Sequence, residues 1–589
     1  MRGRTRLVVL CSALALGCGA APEAGEAAPS QLTLLHTADI HSRIWPFRSR
    51  ISAFEAKLGL GQALRLGEVG GLARLATLLR RERRRGPALW LDSGDALEGA
   101  EVFHRFDGEV ELELLSGLGL GALALGNHEL SLSGAALAQR FASSASFPLL
   151  AANLRPAPGS ALERWLVPSA LLEVAGVRVG VVGVANPSSP PGLVSPDNPW
   201  RLGLAPNLAV AVQAAVDEVA SRAALVVVLS HLGLDSDRAL VRDTTGIDVV
   251  LGGHQHILTP EPEWEEDCGR ADLAEQRGCS PRRVPIVHSG AYAEWLSRVE
   301  LRLVRDPVDT ATLEVAEVAL TQLPVAASVP GEPEVEHYLE LRRPPARPPL
   351  GFLPDKLGRR SPLGGDSALG DLTTDAIRQA LSADVALLNS SGLRADLEAG
   401  PLLSSDLELA FPFDEPWRRV WLTGRTLRRG LESAARRSAA RDCQTTLQVS
   451  GLRLRIHCAA CPDASETCVE IERRTPAGLS PLDDDEWLAL ALPDYLTQAG
   501  SYFEALAGLG HEVGATPITA ISGWLERSAR LPALPFAACV DALLRWPAAR
   551  CLEAVGALHC PLLPAPARRL CAALPLLEGG RDGRVEMLP

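Results

Sequence analysis

Leu34-Leu35-His36-Thr37-Ala38-Asp39-Ile40-His41 is a short apolar run that closes on Asp-x-His. Such a run reads as a buried strand whose last residues emerge at a sheet edge, with a carboxylate and an imidazole side by side. That is half a metal site, and a single pair of this kind is an ordinary feature of loops. The first half of the chain repeats it. Ala88-Leu89-Trp90-Leu91 runs into Asp92-Ser93-Gly94-Asp95, where the glycine removes bulk beside a carboxylate and lets it approach a cation. Ala122-Leu123-Ala124-Leu125 runs into Gly126-Asn127-His128-Glu129. Leu225 to Leu229 runs into Ser230-His231, and Val249-Val250-Leu251 into Gly252-Gly253-His254-Gln255-His256. Five apolar strands thus end in Asp, His or Asn, and one shared site accounts for them better than five separate accidents of loop composition.

The donor types decide the chemistry. Asp, Asn and His suit Mn, Zn, Fe, Co or Mg, whereas a soft metal would draw on thiolates. Two divalent cations ~3.5–4 Å apart can hold a hydroxide between them and clamp a phosphoryl oxygen, so phosphoester hydrolysis is expected. From Gln31 to about Thr321 apolar strands alternate with helical stretches, which predicts an α/β core with helices packed outside. Leu64 to Arg85 carries helix-spaced leucines opposite an arginine-rich face, and reads as one packed surface helix.

The ordered set Asp39-x-His41, Gly94-Asp95, Gly126-Asn127-His128-Glu129, His231 and Gly253-His254-x-His256 resembles the calcineurin-like metallophosphoesterases, and its local wording resembles their 5′-nucleotidase branch. The resemblance implies a four-layer α/β/β/α sandwich over residues 31–322 with the site at the strand ends. It implies two divalent metal ions, with Asp95 bridging both. Asp39, His41 and His256 would hold one, and Asn127, His231 and His254 the other. It also implies that His128 is not a ligand but contacts the phosphoryl group. The family usually has an Asp three residues after that histidine, to orient and charge it, and this chain has Ser131. A hydroxyl does not stabilise imidazolium as a carboxylate does, so reduced or pH-shifted catalysis is expected.

Seven prolines between Pro324 and Pro349 read as an inter-domain connection over residues 323–349, with a short helix-like piece inside it. Residues 350–525 are α/β again, beginning with an amphipathic helix around Leu369 to Ala376. After the strand Val385 to Leu388 comes Asn389-Ser390-Ser391-Gly392-Leu393-Arg394, a small-residue turn that can present an amide, backbone N–H groups and a guanidinium to an anion. Only 26 residues are aromatic, so Phe413 in the turn Phe411-Pro412-Phe413-Asp414 is a candidate face for base stacking. This half resembles the 5′-nucleotidase C-terminal domain, which supplies substrate specificity. By that resemblance Asn389 and Arg394 contact the substrate's polar groups, and Phe413 and Phe503 form the two walls of a base clamp. Gly451, in the stretch Leu447 to Leu452, is counted with them. In the block Ala499-Gly500-Ser501-Tyr502-Phe503 only the aromatic and one glycine of the family's motif remain, and Arg359 and Arg360 do not align with its first phosphate-side arginine. These departures leave the choice of nucleotide open.

Arg2, Arg4 and Arg6 precede the apolar run Leu7 to Leu16, which has signal-peptide form over residues 1–17. Leu14-Ala15-Leu16-Gly17-Cys18 resembles a bacterial lipoprotein box, so a lipid anchor at Cys18 is expected, followed by a flexible tether over 18–30. Export to the bacterial periplasm or outer surface follows. Of twelve cysteines, ten lie beyond the leader, and disulfides are the default for an exported chain. Cys268 and Cys279 bracket one excursion; Cys443, Cys458, Cys461 and Cys468 cluster, as do Cys539, Cys551, Cys560 and Cys571. The last group falls in residues 526–589, which read as a small disulfide-stapled helical extension.

A formal net charge of −13 argues against a nucleic-acid polymer as partner but not against a small phosphate ester beside cations. The expected protein is an exported phosphohydrolase that releases phosphate from nucleoside monophosphates by attack of a metal-held hydroxide. UDP-sugars, 2′,3′-cyclic nucleotides or another phosphoester are the alternatives on the same chemistry, with thiosulfate-ester hydrolysis more remote. A non-catalytic tethered binding protein is the alternative from a different class. The sequence gives no oligomeric state.

Overall fold

The computed structural model describes residues 31–187, 200–305, 313–343, 349–353, 355–361, 363–413, 416–462, 468–475, 477–497, 503, 512–528 and 584–588. The expected signal peptide, the tether, the anchor at Cys18 and the cysteines from Cys539 to Cys571 lie outside them.

Two sheets make the first domain. The first has seven strands in the order Leu313–Pro324, Trp295–Arg305, Gln31–Thr37, Ala88–Asp92, Ala122–Ala124, Leu149–Leu150, Leu166–Val167. The second has six, in the order Glu263–Asp267, Arg282–His288, Val249–Gly252, Leu225–Ser230, Val177–Val184, Ser169–Val174. Leu225–Ser230 and Val249–Gly252 are buried at every position, as strands paired on both edges and covered on both faces must be. The two-residue period then sorts the layers. Leu34, Leu91, Val227 and Leu251 meet between the sheets. Leu35, Trp90 and Leu123 face the outer helices Leu72–Arg85, Glu109–Gly117 and Gly134–Ser144. Val228 and Val250 face Leu208–Ala220 and Leu234–Asp243 on the far side. The result is the expected four-layer α/β/β/α sandwich. Gln31–Thr37, Ala88–Asp92 and Ala122–Ala124 pair in parallel, as do Leu225–Ser230 and Val249–Gly252, so within each sheet the ligand-bearing ends share one edge.

Three boundaries differ from the sequence reading. The helix expected from Leu64 starts at Leu72; Leu66–Val69 is instead a strand paired with Phe47–Arg50, and the Gly70-Gly71 step separates them. The proline-rich connection is not free along its length. Its helix Pro333–Glu340 buries Val335 and Leu339, four residues apart on one face, in the first domain's core, and the Glu332 N–H donates to the Ala73 carbonyl. The short helices expected between 536 and 574 lie outside the described residues, and within the expected extension Val585–Leu588 is a strand that pairs in parallel with Leu452–His457. Apolar Val585, wholly buried, holds it there.

The second domain is built on a sheet in the order Leu447–Ser450, Val385–Asn389, Trp487–Pro493, Trp417–Thr423, Glu512–Val513. Val420, Leu422, Leu488 and Leu490 face the helix Gly424–Ala439. Trp417, Ala489, Ala491 and Ala386 face the helices Ala368–Ala380 and Pro517–Ser528. Disulfides join Cys268 to Cys279, Cys443 to Cys458 and Cys461 to Cys468, so the close-spaced Cys458 and Cys461 are oxidised to different partners. Among the described residues no helix is long and apolar enough to cross a membrane.

Candidate active site

Asp39, His41, Asp95, His254 and His256 all have positive φ, between 50° and 74°. For residues with a Cβ this conformation is costly, and it persists only where the surroundings over-determine it. Here it turns each side chain off its strand end toward one point. His41 Nε2 and His256 Nε2 lie 3.0 Å apart, with Asp39 Oδ1 3.6 Å from the latter. His231 Nε2 lies 2.9 Å from Asp95 Oδ2 and 3.2 Å from Asn127 Oδ1. Asp95 Oδ2 is also 3.8 Å from His41 Nε2. The coordinating atoms of Asp39, His41 and His256 fall within 4.8 Å of one another, and so do those of Asp95, His231 and His254.

The backbone prepares these donors. His41 Nδ1 donates to the Glu98 carbonyl at 3.0 Å and His231 Nδ1 to the Ser93 carbonyl at 2.8 Å, which directs each Nε2 into the cluster. The His254 N–H donates to both oxygens of Asp39 at 3.0 Å. Burial holds His41 and His256 well below the ordinary imidazole pKa, and takes His254 down to about 4, so these rings are neutral. Burial alone would protonate Asp95, but His231, His128 and His41 outweigh it and hold the carboxylate well below its usual value. His231 is pushed up to about 10 against its own burial by the Asp95 charge. Neutral imidazole lone pairs facing one another beside two buried carboxylates are a donor set that divalent cations fit, and a cation at Asp95 and His231 would displace that proton.

Glu129, from the same tetrapeptide as Asn127, is not in the donor set. Its buried carboxylate accepts the N–H groups of Asp95, Ala96, Leu97 and Gly126 at 2.8–3.1 Å, tying two ligand loops together. Gly126 has to be glycine, because a Cβ there would lie 2.2 Å from Asp95 Oδ1. His128 stands beside the cluster, its Nε2 3.9 Å from Asp95 Oδ2. The weakening expected from Ser131 presumed that no carboxylate meets this ring. Glu98 Oε2, however, lies 2.5 Å from His128 Nδ1, and the Ser131 hydroxyl donates to that same oxygen. Burial disfavours a charged His128, yet Asp95 and Glu98 prevail and raise its pKa.

The second domain reaches the same point. The Phe413 ring stacks on His128 with centroids 4.7 Å apart and planes 9° apart, and the Arg394 guanidinium sits 5.0 Å over the Phe413 ring. Asn389 ends its strand with its amide donating to Ser391 Oγ at 2.9 Å. Two expected substrate contacts are corrected. Phe503 is 2% exposed and packs its ring on Gly430 in the domain core, so it offers no open face to a base. Gly451 has φ 83°, and a Cβ there would meet the Asp384 carbonyl at 2.2 Å; it serves a tight turn between two strands. Tyr292 was not anticipated. Its ring lies 5.0 Å from His256 and 5.7 Å from His41, and Arg43 stacks over it at 5.3 Å. Asn186, 2.9 Å from His254 Nε2, was also missed. Asn186 closely follows the apolar strand Val177–Val184, so the strand-end rule applied there would have found it, whereas Tyr292 lies four residues beyond Arg282–His288 and carries no such signal.

Residues 32–258 match the calcineurin-like phosphoesterase family and residues 349–508 the 5′-nucleotidase C-terminal domain. The chain belongs to the 5′-nucleotidase family. This 5′-nucleotidase family member is 26% identical over 547 residues to the 5′-nucleotidase of Diplobatis ommata, covering 85% of this chain and 88% of that protein. Its fold is similar to that of a 5′-nucleotidase precursor from Thermus thermophilus, with TM-score 0.73, 22% identity and coverage of 95% and 99%. It is also similar to that of a sulfate thiohydrolase from the same organism, with TM-score 0.65, 20% identity and coverage of 84% and 94%.

Proposed function

We infer that this chain is a metal-dependent phosphohydrolase that holds two divalent cations and releases phosphate from nucleoside monophosphates. The observation that carries the reading is the convergence of seven donors, Asp95 among them, from five strand ends on one point opposite Arg394 and Phe413. Asp39, His41 and His256 would hold one cation, Asn127, His231 and His254 the other, with Asp95 between them. Bound there, such cations supply Lewis-acid charge to a phosphoryl oxygen and lower the pKa of water. His128, its Nδ1 engaged by Glu98, presents Nε2 to an equatorial phosphoryl oxygen and stabilises the charge that develops on it. Arg394 adds a second positive charge on the substrate side. Phe413 gives the base a face to stack on once it leaves His128.

A second reading, in which nucleotide sugars, cyclic nucleotides or other phosphoesters are preferred, draws support from the burial of Phe503, since a one-walled clamp selects a base less strictly. The complete donor set weighs against a non-catalytic binding protein. The leader with Cys18 supports an exported, lipid-anchored protein of the periplasm or outer surface. The test is phosphate release by the chain lacking its leader, supplied with Mn²⁺, across AMP, UMP, UDP-glucose and 2′,3′-cyclic AMP, beside a His128→Asn control. AMP or UMP is expected to turn over fastest, with release lost in the control. A folded, metal-loaded protein that hydrolyses none of the four would overturn the assignment.

A further inference from the structure

We propose that Glu98 is the positioning residue of His128, supplying from the loop after Asp95 the carboxylate that position 131 lacks, with Ser131 as its hydroxyl support. This deepens the phosphohydrolase reading and rests on it for the role of His128. The geometry makes Glu98 a junction. Its main-chain carbonyl accepts from His41 Nδ1 at 3.0 Å, and its side-chain Oε2 lies 2.5 Å from His128 Nδ1. One residue therefore sets the ring of a metal donor through its backbone and the ring beside the reacting centre through its side chain. A left-handed backbone at φ 55° lets the carbonyl and the side chain point these two ways.

The residues around Glu98 leave its backbone little freedom. The N–H groups of Ala96 and Leu97 are bound to the buried Glu129 carboxylate. On the other side Gly99 lies so close to His41 that a Cβ would stand 2.8 Å from the His41 Cβ. The Glu98 side chain is thus delivered from a fixed anchor, and its carboxylate is mostly covered, at 14% exposed. With Nδ1 donating to that carboxylate, His128 keeps Nε2 directed toward Asp95 Oδ2. The ring is confined further by His41, 4.8 Å away and tilted 71°, and by Phe413 stacked on it.

Ser131 explains the exchange. Its hydroxyl donates to the Glu98 oxygen that meets His128, whereas a carboxylate at 131 would set two negative charges within hydrogen-bond distance of each other. Position 131 therefore has a donor because position 98 already supplies the acceptor. The contact joins one imidazole, one carboxylate and one hydroxyl.

The test uses Glu98→Gln, Ser131→Asp and the double variant in the Zn²⁺-loaded chain, with metal content, melting temperature, kcat, KM and the histidine ring ¹⁵N–¹H spectrum measured for each. Glu98→Gln is expected to lower kcat by about 10- to 100-fold, with KM, metal content and melting temperature near wild type. The low-field Nδ1–H resonance of His128 should move or vanish in that variant. The double variant, which returns a carboxylate to the ring from position 131, should recover most of kcat and the resonance. Wild-type kcat in Glu98→Gln would overturn the proposal. So would a loss accompanied by loss of metal, or one that the double variant fails to recover, since Glu98 would then act through His41 or the loop. If the wild-type chain hydrolyses no phosphoester, the functional reading fails separately, and the resonance still decides whether Glu98 orients His128.

Discussion

The two halves of the site are built differently. In the first domain every candidate metal donor stands at the end of a buried strand or one short loop beyond it, and the loops are tied to one another by Glu129 and Asp39. In the second domain Arg394 and Phe413 reach the centre, while Asn389 bonds locally, Gly451 serves a turn and Phe503 is part of the core. The catalytic half is preassembled by the sheets. The substrate half depends on loop conformation and on how the second domain lies against the first.

If that contrast holds, substitutions in the two halves should separate cleanly. The largest effect is expected at Asp95, whose Oδ2 lies 2.9 Å from His231 Nε2 and 3.8 Å from His41 Nε2. Asp95→Asn should lower kcat/KM by about 10³-fold or more and lower metal content with it, read by phosphate release and elemental analysis. Retained metal and turnover would show that the centre does not pivot on this residue. Next comes Phe503→Ala, expected to cost about 3–5 kcal/mol of stability in a denaturant titration, as for other buried aromatics, with little change in KM for the folded fraction. A selective rise in KM at unchanged stability would return Phe503 to the base clamp. Phe413→Ala should leave stability and metal content alone and lower kcat/KM for AMP by about 5- to 150-fold, the value of one base stacked on an aromatic ring. Ribose 5-phosphate, which has no base, should be affected much less; equal losses for the two would remove the stacking role. The smallest effect belongs to the inter-domain pair Arg50–Glu398. Its Nη2–Oε2 distance is 2.7 Å but its arginine is 40% exposed. Arg50→Ala should shift stability by less than about 1 kcal/mol in the same titration. A larger loss would mean that this contact fixes how the substrate half meets the centre.

Sequence reading did well where the polar residue sits directly on a buried strand, and less well with distance from one. Donors at strand ends were legible because an all-apolar parallel strand has its place in the sheet decided by burial, so the residue after it must emerge at the edge. The missed Asn186 obeys the same rule on a strand to which it was not applied, while Tyr292 stands four residues past its strand, where the rule gives no signal. Glu98 is different in kind. Nothing local distinguishes it from a solvated glutamate, and its role exists only because Gly94 to Gly99 folds back over His41 and brings it to a histidine 30 residues later. Phe503 was misread for the opposite reason: an aromatic beside glycine and serine in sequence can be exposed or buried, and the bare helix surface at Gly430 decided it.

By itself the sequence determined the sandwich and the metal-dependent hydrolytic chemistry, because burial periodicity and donor chemistry are properties of a few consecutive residues. Only the tertiary structure decided which carboxylate serves His128 and which aromatic faces it. It alone separated the second domain's polar residues into those that reach the centre and those that hold the domain together. These depend on contacts between segments far apart in the chain, where close packing and pairing of buried charge choose among partners that local sequence leaves equal.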